Sequence, residues 1–197
     1  MLKENKIISV LTIEESSLAV DLAKCLFDSG IRNLEITLRT KEAKKAIELI
    51  LNTDLDLNIG IGTVLNKDDL NFAKDVGSDF ALSPCTDLDL IEESLKINFK
   101  FIPGVSNPTD INSCLKLGCK TLKFFPAVQL GGINYFKSIY GPYSSFDVNF
   151  IALGGINYKN AKQFIENDNF IGVGASWIAE RELISNKDWK EIGRRSY

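Results

Sequence analysis

Lys123 lies in Thr121-Leu122-Lys123-Phe124-Phe125-Pro126-Ala127, a run whose other residues read as a buried strand. An ammonium group among such neighbours loses its hydration, which favours the neutral, nucleophilic amine. Schiff-base chemistry on a carbonyl substrate requires such an amine. The same residue can equally snorkel out of the strand or pair with a carboxylate. Taken alone, the run does not separate these readings.

Two further charged residues narrow the choice. Side chains alternate along a strand, so Glu35, Thr37 and Arg39 share one face of their run, as Thr121, Lys123 and Phe125 share one face of theirs. If Ile36, Leu38, Leu122 and Phe124 pack outward, the polar set points inward. Charges taken into a core cost several kcal/mol per ion unless they are paired or used. An acid, an arginine and a lysine converging on one mouth therefore read as a site, with a structural ion network as the alternative. The chain contains no histidine. That excludes a Ser-His-Asp triad, a Cys-His pair, a His-ligated metal and a histidine base. Acid–base work falls to a carboxylate, a lysine, a tyrosine or water.

The elements that must position these residues follow from the pattern. Apolar β-rich runs occupy residues 7–12, 33–38, 57–64, 80–84, 100–105, 121–126, 149–154 and 170–177. Amphipathic stretches alternate with them, near 17–29, 41–52, 66–75, 86–97, 108–117, 132–140, 158–167 and 187–195. Gly30, Gly77 and Gly118 follow three of these stretches as C′ glycines do, and Asn66, Thr86, Asn107 and Asn157 stand where N-caps belong. Eight β-then-α units predict a (β/α)₈ TIM barrel, one compact α/β domain over residues 1–197. A doubly wound open sheet is the competing architecture, but no Gly-rich dinucleotide fingerprint follows the first strand.

Barrel sites form at the C-terminal ends of the strands. That rule selects Arg39, Thr63, Pro84, Gly104, Phe125, Pro126, Gly154, Gly155 and Ser176, and places Lys123 and Glu35 inside, near the same mouth. Gly154-Gly155 after the seventh strand and Gly174-Ala175-Ser176 in the eighth suggest a phosphate cradle, completed by the positive end of a short following helix. A tight strand-to-helix turn is the plainer account of Gly154-Gly155. Thr63 can hydrogen-bond a carboxylate or merely cap a turn. Phe125 can wall the pocket or belong to the core, and Trp177 and Trp189 read as packing.

Composition bounds the rest. The chain has 197 residues, 45% of them hydrophobic, and a net charge of −3. It is large enough for a substantial core and has no basic excess for nucleic acid or an anionic membrane. No run approaches a membrane span, the first residues show no apolar leader, and Cys25, Cys85, Cys114 and Cys119 contain no CxxC pair. The expectation is a cytoplasmic protein with reduced thiols.

Seven segments together resemble one family. They are Leu34-Glu35-Ile36-Thr37-Leu38-Arg39-Thr40, Gly60-Ile61-Gly62-Thr63-Val64-Leu65, Phe80-Ala81-Leu82-Ser83-Pro84, Phe101-Ile102-Pro103-Gly104-Val105, Leu122-Lys123-Phe124-Phe125-Pro126-Ala127, Gly154-Gly155-Ile156 and Gly174-Ala175-Ser176-Trp177. In this order they resemble the class I 2-keto-3-deoxy-6-phosphogluconate (KDPG) / 4-hydroxy-2-oxoglutarate (KHG) aldolases, from about Ile7 to Trp177. The resemblance implies a (β/α)₈ homotrimer without metal or cofactor, acting on a small 2-oxo acid phosphate. It implies Lys123 as the Schiff-base lysine, Glu35 as general acid/base, and Arg39 and Thr63 on the carboxylate. Pro84 and Phe125 would shape the pocket, and Gly154, Gly155 and Ser176 would receive the phosphate. The chain departs from the family pattern at Ser9, Cys85 and Val128. The rivals are the same chemistry on 4-hydroxy-2-oxoglutarate or 2-keto-3-deoxy-6-phosphogalactonate, a barrel isomerase or epimerase, and a non-catalytic sugar-phosphate-binding barrel.

Overall fold

The computed structural model describes residues 2–3 and 5–196. Nine parallel strand segments form one sheet in the order β5-β4-β3-β2-β1-β9-β8-β7-β6. They are β1 (Ile7–Leu11), β2 (Asn33–Thr37), β3 (Asn58–Gly62), β4 (Phe80–Leu82), β5 (Phe101–Ile102), β6 (Gly104–Val105), β7 (Thr121–Phe124), β8 (Asn149–Ala152) and β9 (Phe170–Ala175). β5 pairs with β4 and β6 pairs with β7, so the two ends of the sheet are consecutive pieces of one strand parted by Pro103. Proline has no N–H to give a ladder, which splits the fifth barrel position in two. Its carbonyl still accepts from Lys123 N at 2.9 Å. The ring is a nearly closed eight-position parallel α/β barrel.

Nine α-helices among the described residues fill the connections, and the first seven are α1 (Ala19–Asp28), α2 (Ala43–Leu51), α3 (Lys67–Asp75), α4 (Leu88–Lys96), α5 (Pro108–Lys116), α6 (Gly132–Tyr140) and α7 (Ala161–Ile165). After β9 come α8 (Arg181–Ser185) and α9 (Trp189–Ser196). None is long and apolar enough to cross a membrane. Asn66 and Asn107 are N-caps, accepting from Asp69 N at 2.8 Å and Asp110 N at 3.1 Å. Two expected caps are displaced. Asp87 caps α4 by accepting from Leu90 N, because Thr86 spends its hydroxyl on Gly104 O at 2.7 Å. Asn160 stands before α7, while Asn157 accepts from Lys159 N within the preceding turn. Gly30, Gly77 and Gly118 all have positive φ.

Packing decides which strand face looks inward. Leu34 and Ile36 are fully buried against α1 and α2, and Leu122 and Phe124 against the aromatic layer of Phe136, Phe150 and Phe170. Each such side chain contributes about 1.5–3 kcal/mol by leaving water. A one-residue slip would exchange that face for charge. The outward apolar pairs thus hold Glu35 and Lys123 inside the barrel against their own desolvation. The barrel interior is otherwise filled by Ile8, Phe80, Leu82, Ile102, Ile151 and Leu153.

Candidate active site

Lys123 and Glu35 approach across the barrel, with Nζ 3.3 Å from Oε1. Their side chains are only 5% and 1% exposed. Glu35 Oε2 is buried and has no hydrogen-bond partner among the described residues. The pair is thus incompletely satisfied, with one carboxylate oxygen unspent. Phe125, in the turn just past β7, sets its ring centroid 5.2 Å from Lys123 Nζ and gives the amine an apolar wall.

Space for the carboxylate comes from a missing side chain. A Cβ on Gly62 would lie 2.1 Å from Glu35 Oε1, so any larger residue in β3 would push the acid away from the lysine. Thr37, one turn of the pleat above Glu35, is tied down by donating to Leu11 O at 3.0 Å and by contact with the Thr12 hydroxyl at 3.0 Å. β2 therefore presents a fixed acid and a fixed hydroxyl to the lumen.

A cavity of about 320 Å³ opens above this pair at the C-terminal ends of the strands. Glu35, Lys123, Arg39, Thr63, Pro84 and Phe125 line it. Arg39 lies beyond the end of β2, is exposed, and makes no hydrogen bond or ion pair with a described residue. Its fork is free to take a carboxylate with both oxygens bonded. Thr63 holds φ +63°. For a β-branched residue this left-handed conformation is strained, at a cost of order 1–3 kcal/mol, and such strain concentrates at functional sites. Gly154 and Ser176 line the same cavity.

Gly155 is placed differently. It is exposed and absent from the cavity lining, and a Cβ there would come within 2.8 Å of Val128 and Gln129. The glycine is required by this close approach of the loop after β7. The helix expected directly after the last strand is also set back, since Ser176 enters a turn and α8 begins only at Arg181. Gly174, expected in the cradle, lines the cavity too, together with Val10 and Leu153, which the sequence did not single out. Val10 follows from its alternation with Ile8, but Leu153 is not separable from an ordinary strand end.

A larger cavity of about 740 Å³ lies elsewhere, against Tyr158, Trp177 and the C-terminal helix. Size does not make it the reactive one. Its arginines, Arg194 and Arg195, are already bonded to Glu191 and Glu180, and its lysine, Lys159, lies over the Tyr158 ring. A nucleophile, an acid and a free guanidinium meet only at the barrel mouth among the described residues.

A parallel barrel with a buried lysine–glutamate pair under a polar mouth is the architecture of a lyase that works through an amine. Comparison with known proteins gives the same class. The family described as "Aldolase: KDPG and KHG aldolase" matches residues 1–195. The 2-dehydro-3-deoxy-phosphogluconate aldolase of Haemophilus influenzae is 34% identical over 193 residues, covering 98% of this chain and 90% of that one. The KHG/KDPG aldolase of Escherichia coli K12 is 31% identical, covering 98% and 89%. The crystal structure of a KDPG aldolase from Legionella pneumophila, with pyruvate captured as a covalent carbinolamine, superposes with TM-score 0.92 at 38% identity, covering 98% and 92%. The chain belongs to the KDPG/KHG aldolase family and is a class I aldolase, a carbon–carbon lyase.

Proposed function

We propose that this chain cleaves 2-keto-3-deoxy-6-phosphogluconate reversibly to pyruvate and glyceraldehyde 3-phosphate, with Lys123 as nucleophile and Glu35 as proton carrier. The observation that carries the assignment of roles is the 3.3 Å approach of Lys123 Nζ to Glu35 Oε1 inside the barrel. The pyruvate carbinolamine in the Legionella protein supports the substrate half of the reading.

The amine of Lys123 adds to the C2 ketone and water leaves, giving a protonated imine that can accept an electron pair. Glu35, through a water, takes the proton of the C4 hydroxyl. The C3–C4 bond then breaks, its electrons pass into an enamine, and the aldehyde departs. The carboxyl returns its proton to C3, and hydrolysis releases pyruvate and the free amine. One carboxyl serves both steps because it gains a proton in the first and loses it in the second. Arg39 and Thr63 hold the carboxylate, Pro84 and Phe125 shape the pocket, and Gly154 and Ser176 receive the phosphate.

The working unit in this reading is one catalytic domain over residues 1–197, assembled as a cytoplasmic homotrimer. Exposed Leu65, just before α3, and Leu88, at the start of the neighbouring helix α4, support self-association. Sedimentation equilibrium tests it, and a monomer at micromolar concentration would remove that part.

Incubation with pyruvate and borohydride, followed by peptide mass spectrometry, tests the chemistry. A reduced pyruvyl adduct on Lys123 is expected, and its absence, or its presence on another lysine, defeats the reading. Turnover measured on the 6-phosphogluconate, 6-phosphogalactonate and 4-hydroxy-2-oxoglutarate aldols then decides the substrate.

A further inference from the structure

Two of the four cysteines meet where α5 ends and β7 begins, in a place the aldolase chemistry does not use. α5 closes in a Schellman motif. Cys119 N donates to Cys114 O at 3.1 Å, Gly118 N donates to Leu115 O at 3.0 Å, and Gly118 has φ +80°. In this motif the side chains of the third-last helical residue and the residue after the glycine face each other. Here both are cysteines, so the motif sets Cys114 and Cys119 side by side. Both are free, with Cys114 buried and Cys119 partly exposed.

We infer that Cys114 and Cys119 form a reversible thiol–disulfide site that closes by exchange with small disulfides of the glutathione class. The attacking and resolving roles are unequal. The neighbouring Cys114 lowers Cys119 below the ordinary thiol value. Cys119 in turn, with burial, raises Cys114. Cys119 is therefore the sulfur that ionises first, and it is also the one a small disulfide can reach.

Its thiolate attacks one sulfur of the oxidised glutathione and expels one glutathione thiolate. Cys114 then gives up its proton and attacks the Cys119 sulfur of the mixed disulfide, expelling the second. The balance is one small disulfide reduced to two thiols and two protein thiols oxidised to one bond. The Schellman hydrogen bonds hold the two residues next to each other for the second attack. Cys114 Sγ exchanges its 3.8 Å contact with Thr86 Oγ1 for the new bond, and Thr86 stays anchored on Gly104 O.

The sequence supplies a clean assay, because Lys116 separates the two cysteines and trypsin leaves them on peptides 101–116 and 117–120. The full chain is equilibrated with graded mixtures of reduced and oxidised glutathione, alkylated and digested. The expected result is these two peptides joined with the loss of two hydrogens, reversed by dithiothreitol. Thiols titrated in denaturant should fall from the four of the chain to two. Cys119→Ser should keep its three remaining thiols under the same mixtures. Cys114→Ala should instead retain glutathione on Cys119, since no second sulfur can expel it. An unchanged thiol titre, glutathione persisting on Cys119 of the unaltered chain, or a link to Cys25 or Cys85 would each overturn the inference.

Discussion

The acid–base contact inside the barrel and the cluster on the C-terminal helix are built in opposite ways. On the surface, Glu191 accepts from Arg194 Nε and Nη2 at 2.7 Å each and from Arg195 Nε at 2.8 Å. Arg195 continues to Glu180 Oε2 at 2.9 Å and Trp177 O at 2.8 Å. Both oxygens of Glu191 are spent, and the cluster ties α9 to the turn after β9. Inside the barrel, Lys123 and Glu35 share one 3.3 Å contact, and Glu35 Oε2 has no partner among the described residues. Desolvating such a pair costs more than one contact returns, so stability alone gives little reason to keep it. Saturated polar groups at the surface hold structure together, whereas unspent polar capacity in a core marks chemistry.

Breaking the inner pair should have the largest effects. Lys123→Ala should leave no borohydride-trappable pyruvate adduct and no measurable turnover, and an adduct in that variant would move the nucleophile elsewhere. Glu35→Gln should still trap pyruvate but lose turnover by roughly 10²- to 10⁴-fold, the usual share of a positioned proton carrier. Full activity would take Glu35 out of the mechanism. Arg39→Ala removes charge-assisted hydrogen bonds worth about 1.5–3 kcal/mol, so the KM of the 2-oxo acid should rise roughly 10- to 100-fold with kcat changing far less. Equal KM values in the two proteins would show that the guanidinium does not hold the carboxylate.

Smaller effects sharpen the contrast. Ser9 Oγ is the other buried side-chain oxygen without a partner among the described residues, but its neighbours Ile8 and Val10 face the lumen, so it faces the outer apolar layer. It is unspent yet out of reach of a ligand. Ser9→Ala should raise stability by about 1 kcal/mol in urea unfolding and leave turnover alone, and a loss of stability would contradict it. Glu191 is half-buried beneath its arginine partners, Arg194 before Arg195, which hold its carboxyl down at about 2 from the ordinary 4.5. A depressed carboxyl stabilises the fold above its unfolded value, so this contribution is complete above about pH 4.5 and is lost as pH falls towards 2. Thermal melts across that window should slope more in the unaltered chain than in Glu191→Gln, with kcat the same in both at neutral pH. An unchanged slope would mean that the cluster is idle.

The period-two pattern made the strands and their inward faces legible, because Leu34 and Ile36 or Leu122 and Phe124 can be buried on only one side. The C′ glycines were legible for an equally local reason, the backbone conformation each must adopt. Caps were less so. Thr86 and Asp87 both have capping side chains, and the choice between them was made by Gly104 O, a carbonyl from another strand. The split at Pro103 was visible as a proline, but not that the barrel closes there. Gly155 read as part of a cradle because adjacent glycines look alike in sequence. Its neighbours Val128 and Gln129 come from a different loop.

Alternation and composition by themselves determined that an acid, a lysine and a threonine stand on lumen-facing positions of a parallel barrel without histidine. These follow from forces that act between near neighbours in the chain. The fold alone decided that Glu35 and Lys123, 88 residues apart, meet within 3.3 Å. It also decided that Gly62 makes room for the acid and that Arg39 stands free at the rim. Those facts depend on strand register around a closed ring, and register is settled only when every strand has packed its outer face.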